Sequence, residues 1–289
     1  MSMFLELIPT GVLQGLVLAF VALGVFVPFR ILNFPDLTSE GSYPLGGIIC
    51  ATLLVGGVDP ILALLVSGLC GGLLGLGTAL IHICLKVNTL VCGLILTTMA
   101  YSINLRLMGK PNLSLFDQVT IFTSLGESIE VKSLFILGVL IFLIIVLFFF
   151  LKTEKGLRFR SVGLSPLFSE RQGINVPKYM ILGLFTGNMF CGLAGGLMAQ
   201  IQGYVDVGMG FGLVLHVLAA LIIGEGLIKN KSIFAQLFAP FLGAIVYQQI
   251  QGFVVALGLE PSDLKFFTGL LVLSVIALRE KTHKRRFFP

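Results

Sequence analysis

Apolar runs of about 20 residues, the length that crosses a hydrocarbon core of about 30 Å, recur along the whole chain between short polar connections. They predict membrane-spanning helices at roughly 8–28, 44–57, 60–85, 88–108, 133–152, 179–203, 211–227, 232–257 and 263–279. About nine such helices define an all-α polytopic membrane protein with a single transmembrane domain over 1–289, since no soluble domain of useful size can be cut from it. The first run follows Met1–Glu6 with no basic flank and no small-residue cleavage site, so it reads as a retained span.

One place breaks the pattern. The stretch Asn33–Gly47, "NFPDLTSEGSYPLGG", puts Asp36, Glu40, Pro35 and Pro44 between almost wholly apolar segments. Pro35 and Pro44, with Gly41, Gly46 and Gly47, predict a helix broken twice near 33–47, leaving backbone groups that lipid cannot satisfy. An ionised carboxylate in the bilayer must face protein or water, so two readings stand. Either this is an ordinary cytoplasmic loop in which Asp36 and Ser39 cap helices, or it is a broken helix beside a pathway.

Composition sharpens the picture. With 56% hydrophobic and 11% charged residues the chain lies far from soluble domains. Its 35 glycines permit close helix approach. The pairs Gly68/Gly72, Gly71/Gly75, Gly183/Gly187 and Gly192/Gly196 read as contacts within one molecule more readily than as a dimer seam. The five cysteines (Cys50, Cys70, Cys84, Cys92, Cys191) lie inside apolar runs without a CxxC pair, which makes them buried small hydrophobes rather than disulfides or metal ligands.

Charge sets an orientation, because Lys and Arg accumulate in cytoplasmic connections. The segment 152–178, the turn after 227 and the tail after 278 are basic; 109–132, 204–210 and 258–263 are acidic. Alternating spans then put 15 of the 19 Lys and Arg inside, with the N-terminus outside and the C-terminus inside. The net charge of +5 needs no nucleic acid; the inside bias and contact with anionic lipid account for it.

Further polar positions are candidates for a pathway. Thr97, Tyr101 and Asn104 fall near i, i+4, i+7 of one helix, with the alternative that hydroxyls back-bond and the amide joins helices. The same choice applies to Asn188, Gln200 and Gln202. His216 has no second metal-type ligand at helical spacing and reads as a hydrogen-bonded packing residue, so no metal site is expected. The segment about 153–177 is too polar to span and too apolar for a linker. Leu164, Leu167, Phe168 and Ile174 alternate with polar residues as in a short interfacial helix begun at Ser165-Pro166, fit for lipid headgroups or for a groove on a partner protein.

The order "NFPDLTSEG", "GLRFRSVGLSPLFSERQGINVPK", "GLAGGLMAQIQGYVDVGMGFGL", "AALIIGEG" resembles bacterial ABC-importer permeases of the ribose and branched-chain amino-acid class, over nearly the whole chain. "FRILNFPDLTSEGSYPLGG", "YSINLRLMGKPN", "VDVGMGFG" and "PSDLK" resemble its tryptophan/tyrosine-type sub-branch. The resemblance implies that the broken helix lies in the membrane core, with Asp36 and its neighbours at the centre of the translocation domain; the side chains read as its pathway candidates are Asn33, Asp36, Thr38, Glu40, Thr97, Tyr101, Asn104 and Asn188. It also implies that Ser165, Pro166, Phe168, Arg171, Gly173, Ile174 and Asn175 belong to a coupling helix that docks on a separate ATPase. Further implications are a second permease copy, an extracytoplasmic solute-binding protein, the bacterial inner membrane and a small polar solute, with amino acids favoured.

ATP and Mg²⁺ would sit on the partner, since no G-x-x-x-x-G-K-[ST] phosphate loop is present and "GEGLIKNKS" is not one. The competing class is an ion-coupled transporter or channel using Asp36 or Glu40. An intramembrane enzyme would need H-E-x-x-H, or a G-x-S-x-G serine for His216 to serve, and neither occurs.

Overall fold

The computed structural model describes residues 2–126, 128–228 and 232–256, with the isolated positions 266, 269, 270, 273 and 274. Eleven helices occur among them: α1 (Ser2–Phe26), α2 (Ser39–Val55), α3 (Pro60–Leu85), α4 (Thr89–Met108), α5 (Ile121–Leu125), α6 (Ile129–Lys152), α7 (Glu154–Leu164), α8 (Pro166–Arg171), α9 (Val176–Gln202), α10 (Leu213–Leu227) and α11 (Ile233–Ala256). The expected all-helical membrane architecture is present. Six helices among the described residues are long and apolar enough to span: α1 with the turn that follows it, α3, α4, α6, α9 and α11. The helices α10, at 15 residues, and α2, at 17, are shorter, and the expected span 263–279 lies almost wholly outside the described residues.

Local chemistry sets the helix ends. Asp59 and Asn88 cap α3 and α4 through their side-chain oxygens, Thr153 caps α7, and Asn175 caps α9 ahead of Pro177. A two-stranded antiparallel ribbon, β1 (Asn112–Ser114) with β2 (Tyr204–Asp206), pairs Leu113 with Val205. It places the connections 109–120 and 203–212 at one end of the bundle, as alternating spans require. Gln200 ties that end together: its oxygen accepts from Ile121 N at 2.9 Å and its nitrogen donates to Pro60 O at 3.2 Å. Of the two roles open to this residue, joining helices is the one seen.

The glycine pairs make contacts within one molecule. On α3, Gly71 and Gly75 lie against the α9 backbone at Asn188, Gly192 and Leu184, and Gly46 of α2 lies against Gly192. A Cβ on Gly46 would run into the Gly192 carbonyl, so Gly46→Val is expected to cost at least about 3 kcal/mol by overpacking and to deplete folded chain from membranes. Gly138→Ala, whose Cβ meets nothing within 4 Å, is expected to leave a detergent melting profile unchanged. Cysteine burial follows expectation at Cys50, Cys92 and Cys191; Cys70 is only half-buried and Cys84 is exposed, because their sides of α3 face outward, and all five are free thiols.

The break is single, which corrects the expectation of two. After α1 a π-helical turn (Val27–Ile31) begins with Pro28 near its start, and the chain leaves helical form from Leu32 to Thr38 before α2 starts. Pro44 does not end a helix. It lies in the second turn of α2, where the missing N–H forfeits only the bond to Glu40 O, and Gly210 packs against both groups.

Candidate functional site

The residues around the break form one buried network. Asp36 is 3% exposed. Its Oδ1 accepts from Thr38 N at 2.8 Å, closing a turn at the start of α2, and its Oδ2 accepts from Asn188 Nδ2 at 2.7 Å. Asn188 also donates to Leu184 O at 2.9 Å, and its oxygen accepts from Ser42 Oγ at 2.7 Å. Thr38 and Thr78 share a hydroxyl hydrogen bond of 2.7 Å, and Thr97 Oγ1 donates to Leu37 O at 3.2 Å. Four helices thus converge on seven residues of non-helical chain. Asn188 lies 12 residues into the 27-residue α9, about 18 Å along its axis, so the network is deep in the bundle.

The loop reading of "NFPDLTSEG", with Asp36 and Ser39 as caps, is not what is seen: α2 has no side-chain cap, Ser39 Oγ has no hydrogen-bond partner among the described residues, and Asp36 bonds instead to Thr38 N just ahead of the helix, in the core. Phe34 N donates to Pro28 O at 2.8 Å, and the backbone at Leu37 and Thr38 packs on Gly93 of α4. Unwound chain is therefore held by protein and not by lipid.

A second non-helical segment meets the first, and sequence reasoning missed it by treating 204–210 as an outer loop. Residues 207–212 descend from β2 until Gly210 lies on Glu40 O and Pro44, and Met209 lies on Gly47. Helix α10 therefore starts inside the bundle, which is why it is short. Its first turn meets Glu40, whose Oε1 accepts from Val214 N at 3.4 Å. Two helices begin at depth, and each positive end is met by a carboxylate from the same stretch: Asp36 for α2, Glu40 for α10. The spacing "GMGFG" was the available signal, since three alternate glycines allow such close backbone approach.

The remaining pathway candidates are only partly gathered. Asn33 is exposed with a left-handed φ of 53°. Asn104 is buried on α4, and neither its oxygen nor its nitrogen has a hydrogen-bond partner among the described residues. Tyr101 lies on the exposed flank of α4 and stacks on Phe211 with ring centroids 6.1 Å apart. Ser42 and Thr78 belong to the network but were not singled out, since a lone hydroxyl in an apolar span has no distinguishing pattern.

At the other end of the bundle, the segment expected as one interfacial helix is two. Helix α7 packs on the body through Phe159 and Val162, and Gly163 sits against Ile31 O at the π-helical turn. Helix α8 starts where expected: Ser165 Oγ accepts from Phe168 N at 3.3 Å and Pro166 takes the first position. Leu164, Leu167 and Phe168 project outward, 89%, 63% and 59% exposed, and Arg171, Gly173 and Asn175 are exposed beside them. Ile174 is the exception. It is half-buried against the main core because its N–H donates to Ser169 O, turning the chain back to the body.

Residues 7–276 match the family model described as branched-chain amino acid transport system, permease component. A tyrosine transport system permease protein of Clostridioides difficile is 37% identical over 265 residues, covering 91% of this chain and 88% of the relative. A protein of Methanocaldococcus jannaschii, named a probable branched-chain amino acid transport permease protein, is 28% identical over 74% of this chain and 72% of its own length. A guanosine ABC transporter permease protein of Bacillus subtilis is 30% identical over 43% of this chain and 35% of its own length. No solved structure matches the chain.

Proposed function

The chain belongs to the family of permease components of branched-chain amino acid transport systems, and from that premise we propose how it works as the membrane subunit of an ABC importer. Two copies surround one pathway, and each contributes the break at 32–38 and the segment 207–212. Asp36, Thr38, Glu40 and Asn188 set the break; Asn33, Thr97, Tyr101 and Asn104 lie toward the pathway. The whole chain is one permease domain in the bacterial inner membrane, with nine spans, the N-terminus outside and the C-terminus inside. The solute is small and polar, an amino acid, and an extracytoplasmic binding protein delivers it.

Energy comes from a separate ATPase that holds ATP and Mg²⁺ and docks on α7–α8 through Phe168, Arg171 and the turn at Gly173 and Asn175. The observation that carries this reading is the contact between Gly163 of α7 and Ile31. A push on α8 reaches the π-helical turn through one close backbone contact, and the break that follows can shift between two arrangements. Use of Asp36 or Glu40 as an ion site is not favoured, since their oxygens hold the starts of α2 and α10.

The test is affinity purification of the tagged chain from its native membrane. A P-loop ATPase is expected to co-purify in fixed ratio and to hydrolyse ATP in the preparation. A chain that purifies alone and moves amino acid under an ion gradient would overturn the reading.

A further inference from the structure

Helix α10 ends on a charge that its own backbone disfavours. Glu225 lies in its last turn, where the carbonyl end of a helix repels a carboxylate. The side chain reaches Arg30, 195 positions earlier, in the π-helical turn that follows α1. Arg30 Nη2 donates to Glu225 Oε2 at 2.6 Å and Arg30 Nε meets Oε1 at 2.5 Å, a bidentate geometry that fixes orientation as well as distance. It is the one ion pair that joins two described side chains.

Stability is not a sufficient reason for this pair. The two side chains are 33% and 27% exposed, and ion pairs open to solvent add little to folding. Helix α10 is also fastened without it, since Gly224 packs on the carbonyl of Ala239 in α11, and Gly243 of α11 packs on that of Ala220. What the pair adds is a connection from the π-helical turn to α10.

Both ends of that connection meet contacts already described. Ile31, next to Arg30, carries the close contact with Gly163 of α7. The turn itself has a backbone suited to rearrangement: Leu32 N donates to Val27 O at 3.2 Å, a bond to the fifth residue back, and Pro28 has no N–H to give. At the deep end of α10, Glu40 Oε1 accepts from Val214 N at 3.4 Å, and Gly210 lies on Glu40 O. A displacement of the turn therefore has two routes to the start of α2. One follows the chain through 32–38; the other crosses from Arg30 to Glu225 and runs the length of α10 to Glu40.

We propose that Arg30 and Glu225 are positioning residues that make α10 follow the π-helical turn, so that the deep ends of α2 and α10 shift together when the ATPase acts. The inference rests on the reading of α7–α8 as the ATPase dock and adds the second route. Without the pair the turn moves while α10 stays with α11, and ATP is hydrolysed with less solute moved.

The test uses the whole complex, the permease with its ATPase and binding protein, in vesicles with radiolabelled L-tyrosine and L-leucine as uptake tracers. The readout is solute taken up per ATP hydrolysed, measured beside the melting temperature of the purified complex. Arg30→Gln and Glu225→Gln are each expected to lower that ratio about three- to tenfold, the scale on which residues along a coupled network act, with the ATPase still bound and the melting temperature unchanged. The double variant should do no worse than either single one, because both changes remove one shared contact. Arg30→Lys keeps the charge but loses the fork, and it should fall between Arg30→Gln and the unaltered chain. It also carries the test should a Gln variant fail to assemble.

A merely structural pair would lower melting temperature, hydrolysis and uptake together and leave the ratio fixed, which would overturn the inference. Losses in the two single variants that multiply in the double variant would overturn it too, while leaving the importer intact. An unaltered chain that binds no ATPase would instead overturn the importer reading, and this inference with it.

Discussion

Phe168→Asp is expected to release the ATPase from the purified chain and to bring ATP-driven uptake to background, while the membrane bundle keeps its melting temperature. Phe168 lies beside Leu164 and Leu167, three outward apolar side chains on an end of the molecule where Lys155, Arg158, Glu170 and Arg171 are also exposed. An apolar knob with a charged rim is how interface anchors are arranged, and removing such an anchor costs at least about 2 kcal/mol, or roughly thirtyfold in affinity. A carboxylate in its place must also be desolvated against the partner, which raises the loss further.

Stability should be spared, because a substitution at an exposed position stays within about 0.5 kcal/mol unless it breaks a cap or a packed contact. The α8 cap uses Ser165 Oγ and the backbone of residue 168, which the substitution keeps. Ile174→Asp would be a poorer test of the same surface, since Ile174 packs against the core and its loss would unfold the region. Arg171→Ala, at the rim, should slow ATPase association and leave most uptake. Recovery of the ATPase in normal amounts with Phe168→Asp, together with normal uptake, would move the docking surface elsewhere.

Much of the architecture was legible because hydropathy and span length are locally encoded. Helices α3, α4, α9 and α11 begin and end within a few residues of the expected limits, and Ser165-Pro166 marked the start of α8. What could not be read was depth. Pro44 and Pro35 are the same residue type in the same polar stretch, yet Pro35 lies in unwound chain and Pro44 inside a helix. The difference lies in whether the lost bond is one that an existing helix needs. Residues 204–210 looked like an outer loop because Asp206 is acidic and glycines favour turns. The descent of 207–212 onto Glu40 depends on tertiary contact with α2, which leaves no periodic trace. Likewise Asn188 was flagged as one amide in an apolar span, but its role depends on a carboxylate 152 positions away.

That long-range pair yields the most discriminating expectation for the core. Asp36→Ala should abolish uptake and lower stability while the ATPase still co-purifies, and Asp36→Asn should fall between it and the unaltered chain. Alanine removes both acceptors, so the Thr38 N–H and one Asn188 N–H are left buried and unpaired. At about 1–3 kcal/mol each, the combined cost is about 2–6 kcal/mol. Asparagine retains one acceptor oxygen, enough for Thr38 or for Asn188 but not for both. Asn188 cannot turn its amide over freely to compensate, because its oxygen accepts from Ser42 and its nitrogen also serves Leu184 O.

The variants should therefore rank in uptake and in melting temperature as Asp, then Asn, then Ala. Ser42→Ala combined with Asp36→Asn should cost less than the sum of the two changes, since freeing the Asn188 oxygen lets the amide reorient. Uptake and stability at unaltered levels in Asp36→Ala would mean that the carboxylate holds nothing, and that the start of α2 is fixed by packing on Gly93 and Gly192 alone. A strict dependence on the count of acceptors would instead tie the position of the break to one buried carboxylate. The same stretch then governs both half-depth helices, because Glu40, one turn further on, meets the start of α10.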